Sequence, residues 1–162
     1  MMHDLIYPMN VVIAYKIREA IKNAENLGYV CENISPREFY DYLSGETYTG
    51  DIIALDSILQ SELLMLHEVI EISELKRRRT PINRETIINC DREMIYDAHL
   101  TATEYEIRHA LKENNLEWIR LRLSHAKMWL EDENLPKNLV EKCKQIIDWL
   151  LKLAEMSSFN GL

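Results

Sequence analysis

Three observations make this an all-α chain. Apolar residues recur at helical spacing along most of it, as in Val12, Ile13, Ile17, Ala20, Ile21 and Ala24. Pro8, Pro36, Pro81 and Pro136 stand near the starts of periodic segments, and Gly28 and Gly45 just past the ends of others, the asymmetry helices show. No segment has the two-residue alternation and β-branched enrichment of a strand. The expected architecture is an irregular bundle of about six helices.

The first helix is expected over 10–27, ending at Gly28. Ser35-Pro36-Arg37-Glu38 combines a capping Ser, Pro at the first helical position and Glu at the third, which starts a short helix reaching about Leu43. Residues 44–50, with Gly45, Thr47, Thr49 and Gly50, read as loop. Two long helices follow, over about 51–78 and 83–113, and the brief connection at 79–82 makes them an antiparallel hairpin. Asn114-Asn115 interrupts the pattern, and Asn115 caps a helix over 116–131. Residues 132–134 break it again, and Pro136 opens a last helix running to Ala154.

With 162 residues, of which 47% are hydrophobic, one core in a single domain over 1–162 is expected. The net charge of −8 argues against broad binding to nucleic acid or to an anionic membrane. Cys31, Cys90 and Cys143 are odd in number and lack CxxC spacing, so they read as reduced thiols of a cytoplasmic protein. The opening Met-Met-His-Asp lacks an export pattern, and no apolar run matches a membrane span.

Chemistry concentrates on the two long helices. Asp56, Gln60, Leu63, His67, Glu71 and Glu74 step by three or four and form one ridge, polar except for Leu63 and flanked by apolar residues. That is the pattern of a lined cleft rather than of a wet face. Glu62 lies among Leu55, Ile58, Leu59, Leu66 and Val69. The second helix carries Arg92, His99, Glu106 and His109 among core residues, with Asp91 beside them. If the hairpin turns near Thr80, Glu71 comes level with Asp91 or Cys90, His67 with Met94 and Glu62 with His99. Two facings exclude each other: the His67 ridge converges with Asp91 and has His99 a turn or two away, or Glu62 meets His99 directly. His67, Glu71, Asp91 and His99 are then candidate ligands for a divalent metal such as Mg, Mn or Zn, since imidazole and carboxylate suit such ions. Glu68 and Glu62 are the candidate general bases. Glu71 stands where the zinc-protease HExxH motif needs its second His, and Glu106-Ile107-Arg108-His109 is a single Glu-x-x-His where a di-iron bundle needs two.

Glu68-Val69-Ile70-Glu71 resembles the paired carboxylates of the MazG-type nucleotide pyrophosphohydrolases, a resemblance implying an all-α fold and bound magnesium. Their second element is Glu-x-x-Asp, whereas Glu93 and Asp97 here are one residue further apart. Arg92-Glu93 to His99 is similar in spacing to the motif of HEPN ribonucleases, which implies metal-independent RNA cleavage. Arg120 to His125 matches that distance without the polar residue.

Lys76-Arg77-Arg78-Arg79 complements a helix carboxyl end. Trp118, Arg122, His125 and Trp129 share one ridge and suit a subunit or partner interface. Tyr40, Tyr42 and Tyr48 flank the loop as a candidate lid. Three readings compete: a protein-interaction module, expected as a homodimer with the Trp ridge against its partner; a divalent-metal-dependent hydrolase of a phosphorylated small molecule or nucleotide; and, behind both, a HEPN-like ribonuclease acting through Arg92 and His99.

Overall fold

The computed structural model describes residues 2–47 and 54–160, with side chains over 9–47 and 54–156. Its helices are α1 (Met2–Asn26), α2 (Pro36–Ser44), α3 (Leu55–Leu59), α4 (Glu62–Arg77), α5 (Thr86–Asn89), α6 (Arg92–Lys112), α7 (Leu116–Glu131) and α8 (Val140–Asn160), with a 3₁₀ turn at Lys137–Leu139 before the last. No strand occurs among the described residues, so the class is all-α. No helix among them is long and apolar enough to cross a membrane. Cys31, Cys90 and Cys143 are thiols.

The central element is α4, which buries Leu63, Met65, Leu66, Val69, Ile70, Ile72 and Leu75 around most of its circumference. A helix apolar all round belongs in the interior. Residues of α1 and α2, among them Ile13, Ile17, Phe39 and Tyr42, pack with Met65, Val69, Ile72 and Leu75. On the other side Ile107 and Ala110 of α6 pack with Ile119, Ala126, Cys143 and Leu150 of α7 and α8. Any polar group carried inward by α4 is therefore enclosed by helices and needs a partner there.

Three helix ends share one device. Gly28, Arg79 and Asn114 adopt φ of 83°, 63° and 56°. The next amide in each case returns to the carbonyl five residues back: Tyr29 to Ala24 at 3.0 Å, Thr80 to Leu75 at 3.0 Å and Asn115 to Ala110 at 2.8 Å. These bonds satisfy carbonyls that the helix leaves open. The cap of α2 is the expected reciprocal one, with Ser35 Oγ accepting from the Glu38 amide and Glu38 Oε1 from the Ser35 amide. Gly45 is needed for a close approach, because a Cβ there would overlap the carbonyl oxygen of Arg84.

Both long helices of the expected hairpin are shorter than the sequence pattern suggests. The first is divided at Gln60 and Ser61, where Ser61 Oγ accepts from the Leu64 amide at 3.2 Å and starts α4 afresh. Residues 51–53 and the loop positions Tyr48, Thr49 and Gly50 lie outside the described residues. The second is divided at Asp91, whose carboxylate accepts from the Glu93 amide at 3.1 Å and caps α6. Before it, Thr86 Oγ1 accepts from the Asn83 amide and donates to the Pro81 carbonyl at 2.8 Å, folding the connection into a compact turn. The helices α4 and α6 run antiparallel, but the pairs Glu62 to His109 and Glu71 to His99 are centred near residue 85 instead of Thr80. The register therefore moves by between two and three turns.

Arg79 pays a left-handed conformation that glycine adopts without strain. Arg79→Gly is expected to stabilise the protein by about 0.5–1 kcal/mol and Gly28→Ala to destabilise it by about 1 kcal/mol, read from urea midpoints at constant slope. A lower midpoint for Arg79→Gly would contradict this account of the turn.

Candidate metal centre

Residues four apart on a helix share a face, so α4 presents His67 and Glu71 together. Residues seven apart do likewise, and α6 presents His99 and Glu106. The observed register brings the two faces into contact. His67 Nδ1 lies 2.8 Å from Glu106 Oε1, and His67 Nε2 lies 3.0 Å from Glu71 Oε2 and 3.1 Å from His99 Nδ1. The remaining separation, His99 Nδ1 to Glu71 Oε2, is 3.5 Å. Three donor atoms thus form a small closed triangle.

Each member is held from behind. Glu106 is fully buried and accepts from Arg122 Nε at 2.5 Å, Arg122 Nη2 at 2.6 Å and the Trp118 indole at 2.6 Å. The guanidinium also lies 5.5 Å from the Trp118 ring and 5.7 Å from that of Trp129. Tyr42, from α2, donates its hydroxyl to the second oxygen of Glu71. His99 meets Trp129 edge to face at 4.7 Å. Four helices therefore position one triangle.

The electrostatics follow from this enclosure. Burial works against charge on His67, but its hydrogen bonds to Glu106 and Glu71 outweigh that and push its pKa up to about 10. Burial likewise opposes ionisation of Glu106, and the bonds from Arg122 and His67 bring it down to about 2. Glu71 is held well below the usual carboxylate range against its burial by His67 and His99. Burial, with the His67 charge, lowers His99. Without a metal, the centre is thus a neutral set of two carboxylates, one imidazolium and one guanidinium, with a proton on His67 Nε2 inside the triangle.

The same atoms fit a divalent transition metal. A tetrahedral ion with bonds near 2.05 Å has ligand edges of about 3.3 Å and an octahedral one about 2.9 Å, and the three edges of 3.0, 3.1 and 3.5 Å bracket those values. His67, Glu71 and His99 would hold such an ion as three protein ligands, the number that leaves a further position for water or a substrate. Glu106 on the other nitrogen of His67 is the carboxylate partner that metal-bound imidazoles ordinarily have. A cavity of about 230 Å³ adjoins Glu71 and His99.

Among the residues expected at this site, His67, Glu71 and His99 come together. Asp91 does not: as the exposed cap of α6 it lies two turns before His99, displaced by the longer connection. Glu62 does not meet His99 either, because it opens α4 at the surface, accepting from Asn23 at 3.0 Å and lying 3.0 Å from His109 Nε2. Glu68 is half-buried and turned about 100° around the helix from His67; burial and the Glu71 charge push its pKa up to about 8. Trp118, Arg122 and Trp129, expected at an interface, face inward onto Glu106 and His99 instead. His125 accompanies Arg122, with Nδ1 3.2 Å from Nη1. Arg92 is exposed and donates to Asn134 at 2.7 Å while His99 points into the centre. Glu106 and Tyr42 were not expected here. The available signal for Glu106 was its place seven residues after His99 among Ala102, Thr103 and Ala110, where a carboxylate needs a buried cation.

No protein-family model, curated protein or solved structure matches the chain, so the site is read from its own geometry.

The folded pKa of Glu106 is depressed, so its stabilisation is complete above the ordinary value of 4.5 and lost as pH falls from there towards 2. Glu106→Gln is expected to lower stability at pH 7 by about 3–5 kcal/mol and to flatten the acid limb of the urea midpoint against pH. An acid limb parallel to that of the wild type would count against the ion-pair assignment.

Proposed function

We propose that this protein is a metal-dependent enzyme whose divalent ion is held by His67 Nε2, Glu71 Oε2 and His99 Nδ1. One observation carries the reading: three donor atoms lie within 3.5 Å of one another while the far nitrogen of His67 is anchored on a fully buried carboxylate. Two imidazoles and a carboxylate suit Zn, Mn or Fe(II). Three protein ligands with the remaining positions open are typical of catalytic rather than structural sites, and the ion supplies Lewis acidity, which fits hydrolysis. Glu106, Arg122, Trp118 and Tyr42 orient the ligands. Of the two expected bases, Glu68 is near enough for the Glu71 charge to act on it, and Glu62 stands apart at the α4 terminus.

Millimolar zinc or manganese, at about 100 times the dissociation constant, is expected to add roughly 2.7 kcal/mol and raise the melting temperature by about 5–10 °C. His99→Ala, the change at the least enclosed ligand, should keep the fold and lose the rise. Metal analysis should return one ion per wild-type chain. An unchanged wild-type melting curve with each of zinc, manganese and iron(II) would remove this function.

The second reading is a self-associating interaction module in the cytoplasm. It is supported by Val11, Val12 and Tyr15, large apolar side chains that α1 leaves 56%, 47% and 53% exposed. Light scattering after gel filtration is expected to give a dimer mass under this reading, and a monomer mass for Val12→Glu. A wild-type monomer at high concentration would end it.

A further inference from the structure

Resting on the metal reading above, we infer that the centre serves a compact ligand with an apolar body and a single small metal-binding head, and excludes phosphate esters. The cavity beside Glu71 and His99 is walled by Ile95, Leu100, Trp129 and Leu135, with Tyr96 at its side. The Tyr96 hydroxyl donates to Asp132 at 2.8 Å. Apart from the Tyr96 phenol, the ionisable groups of the wall are Glu71 and His99, the ones assigned to the metal.

Among the described residues no Lys or Arg lines this cavity. The cation nearest in the network, Arg122, spends Nε and Nη2 on Glu106 and its third nitrogen on His125. A phosphate dianion would bring oxygens that a single ion cannot satisfy against an apolar wall that offers no other cation among the described residues, and taking charge out of water without a partner is costly. Its negative charge would also face the carboxylate of Glu71. An apolar body meets the opposite situation, since Ile95, Leu100, Leu135 and the Trp129 ring offer dispersion contacts and release water.

Size sets the scale of what the walls can cover. The cleft is open on one side and its volume is about 230 Å³, against roughly 150 Å³ for a protein cavity that takes up benzene. One ring or a short branched chain fills it together with a head of two or three atoms. A nucleotide would stand mostly outside it, in solvent.

The test uses the full chain loaded with cobalt(II), whose visible spectrum reports its ligands. Benzohydroxamate is expected to alter that spectrum at a concentration about tenfold or more below acetohydroxamate, which has the same head without the ring. Inorganic phosphate should leave the spectrum unchanged at the concentrations where benzohydroxamate acts. Leu135→Phe, which fills the cavity from the segment before the 3₁₀ turn, should remove the preference for the ring and leave acetohydroxamate unaffected. Equal response to the two hydroxamates in the wild type, or a stronger response to phosphate, overturns the ligand class while the metal reading stands. A protein that gives no cobalt spectrum overturns the metal reading and the inference with it.

Discussion

The structure depends on one enclosed carboxylate. Glu106 has no exposure to solvent, and an isolated charge in such a place would cost several kcal/mol or take up a proton. It stays ionised because Arg122 meets it with two nitrogens, the Trp118 indole donates a third bond and His67 a fourth. These partners come from α4 and α7, so satisfying one residue of α6 locks three helices at a fixed register. Tyr42 on Glu71 adds α2. Apolar packing alone tolerates small slides between helices, whereas a bidentate ion pair does not.

The lock also determines what the centre can do. Because Glu106 holds Nδ1 of His67, the other nitrogen is aimed at Glu71 and His99, and the three atoms converge on one point. A proton there gives an ion-pair network. A divalent ion held by the same three atoms would take the place of that proton and use all three lone pairs at once. Rigid support for ligands is what separates a metal site from a chance cluster. The surface group of Glu62, His109 and Glu113 is held far less firmly, since Asn23 donates to Glu62 but the two carboxylates are 62% and 59% exposed.

Several signals in the sequence were readable because one turn of helix contains the whole argument. The cap at Ser35, the stops at Gly28 and Asn114 and the pairing of His67 with Glu71 are of that kind. Ser61 and Asp91 were local too, yet the apolar periodicity running through both positions masked their capping roles, and two breaks went unread. That matters because the break at Asp91 lengthens the connection. Counting outward from Thr80 then set Asp91 opposite Glu71, where His99 actually stands.

The all-α class, the starts at Pro36 and Leu116, the stops near Gly28, Arg78, Asn114 and Glu131, and a ridge on which imidazole and carboxylate are adjacent all follow from the chain alone, because helical spacing and capping act within a few residues, whereas the first helix starts at Met2 instead of residue 10 and the last runs on to Asn160. Only the tertiary structure decided which residues of α6 face that ridge, that Glu106 rather than Asp91 supports it, and that Trp118 and Arg122 turn inward. Those outcomes depend on how the segment from Arg78 to Asp91 folds, and a shift there moves every facing pair at once. Charge compensation across helices is a property of that register, and no spacing within one helix encodes it.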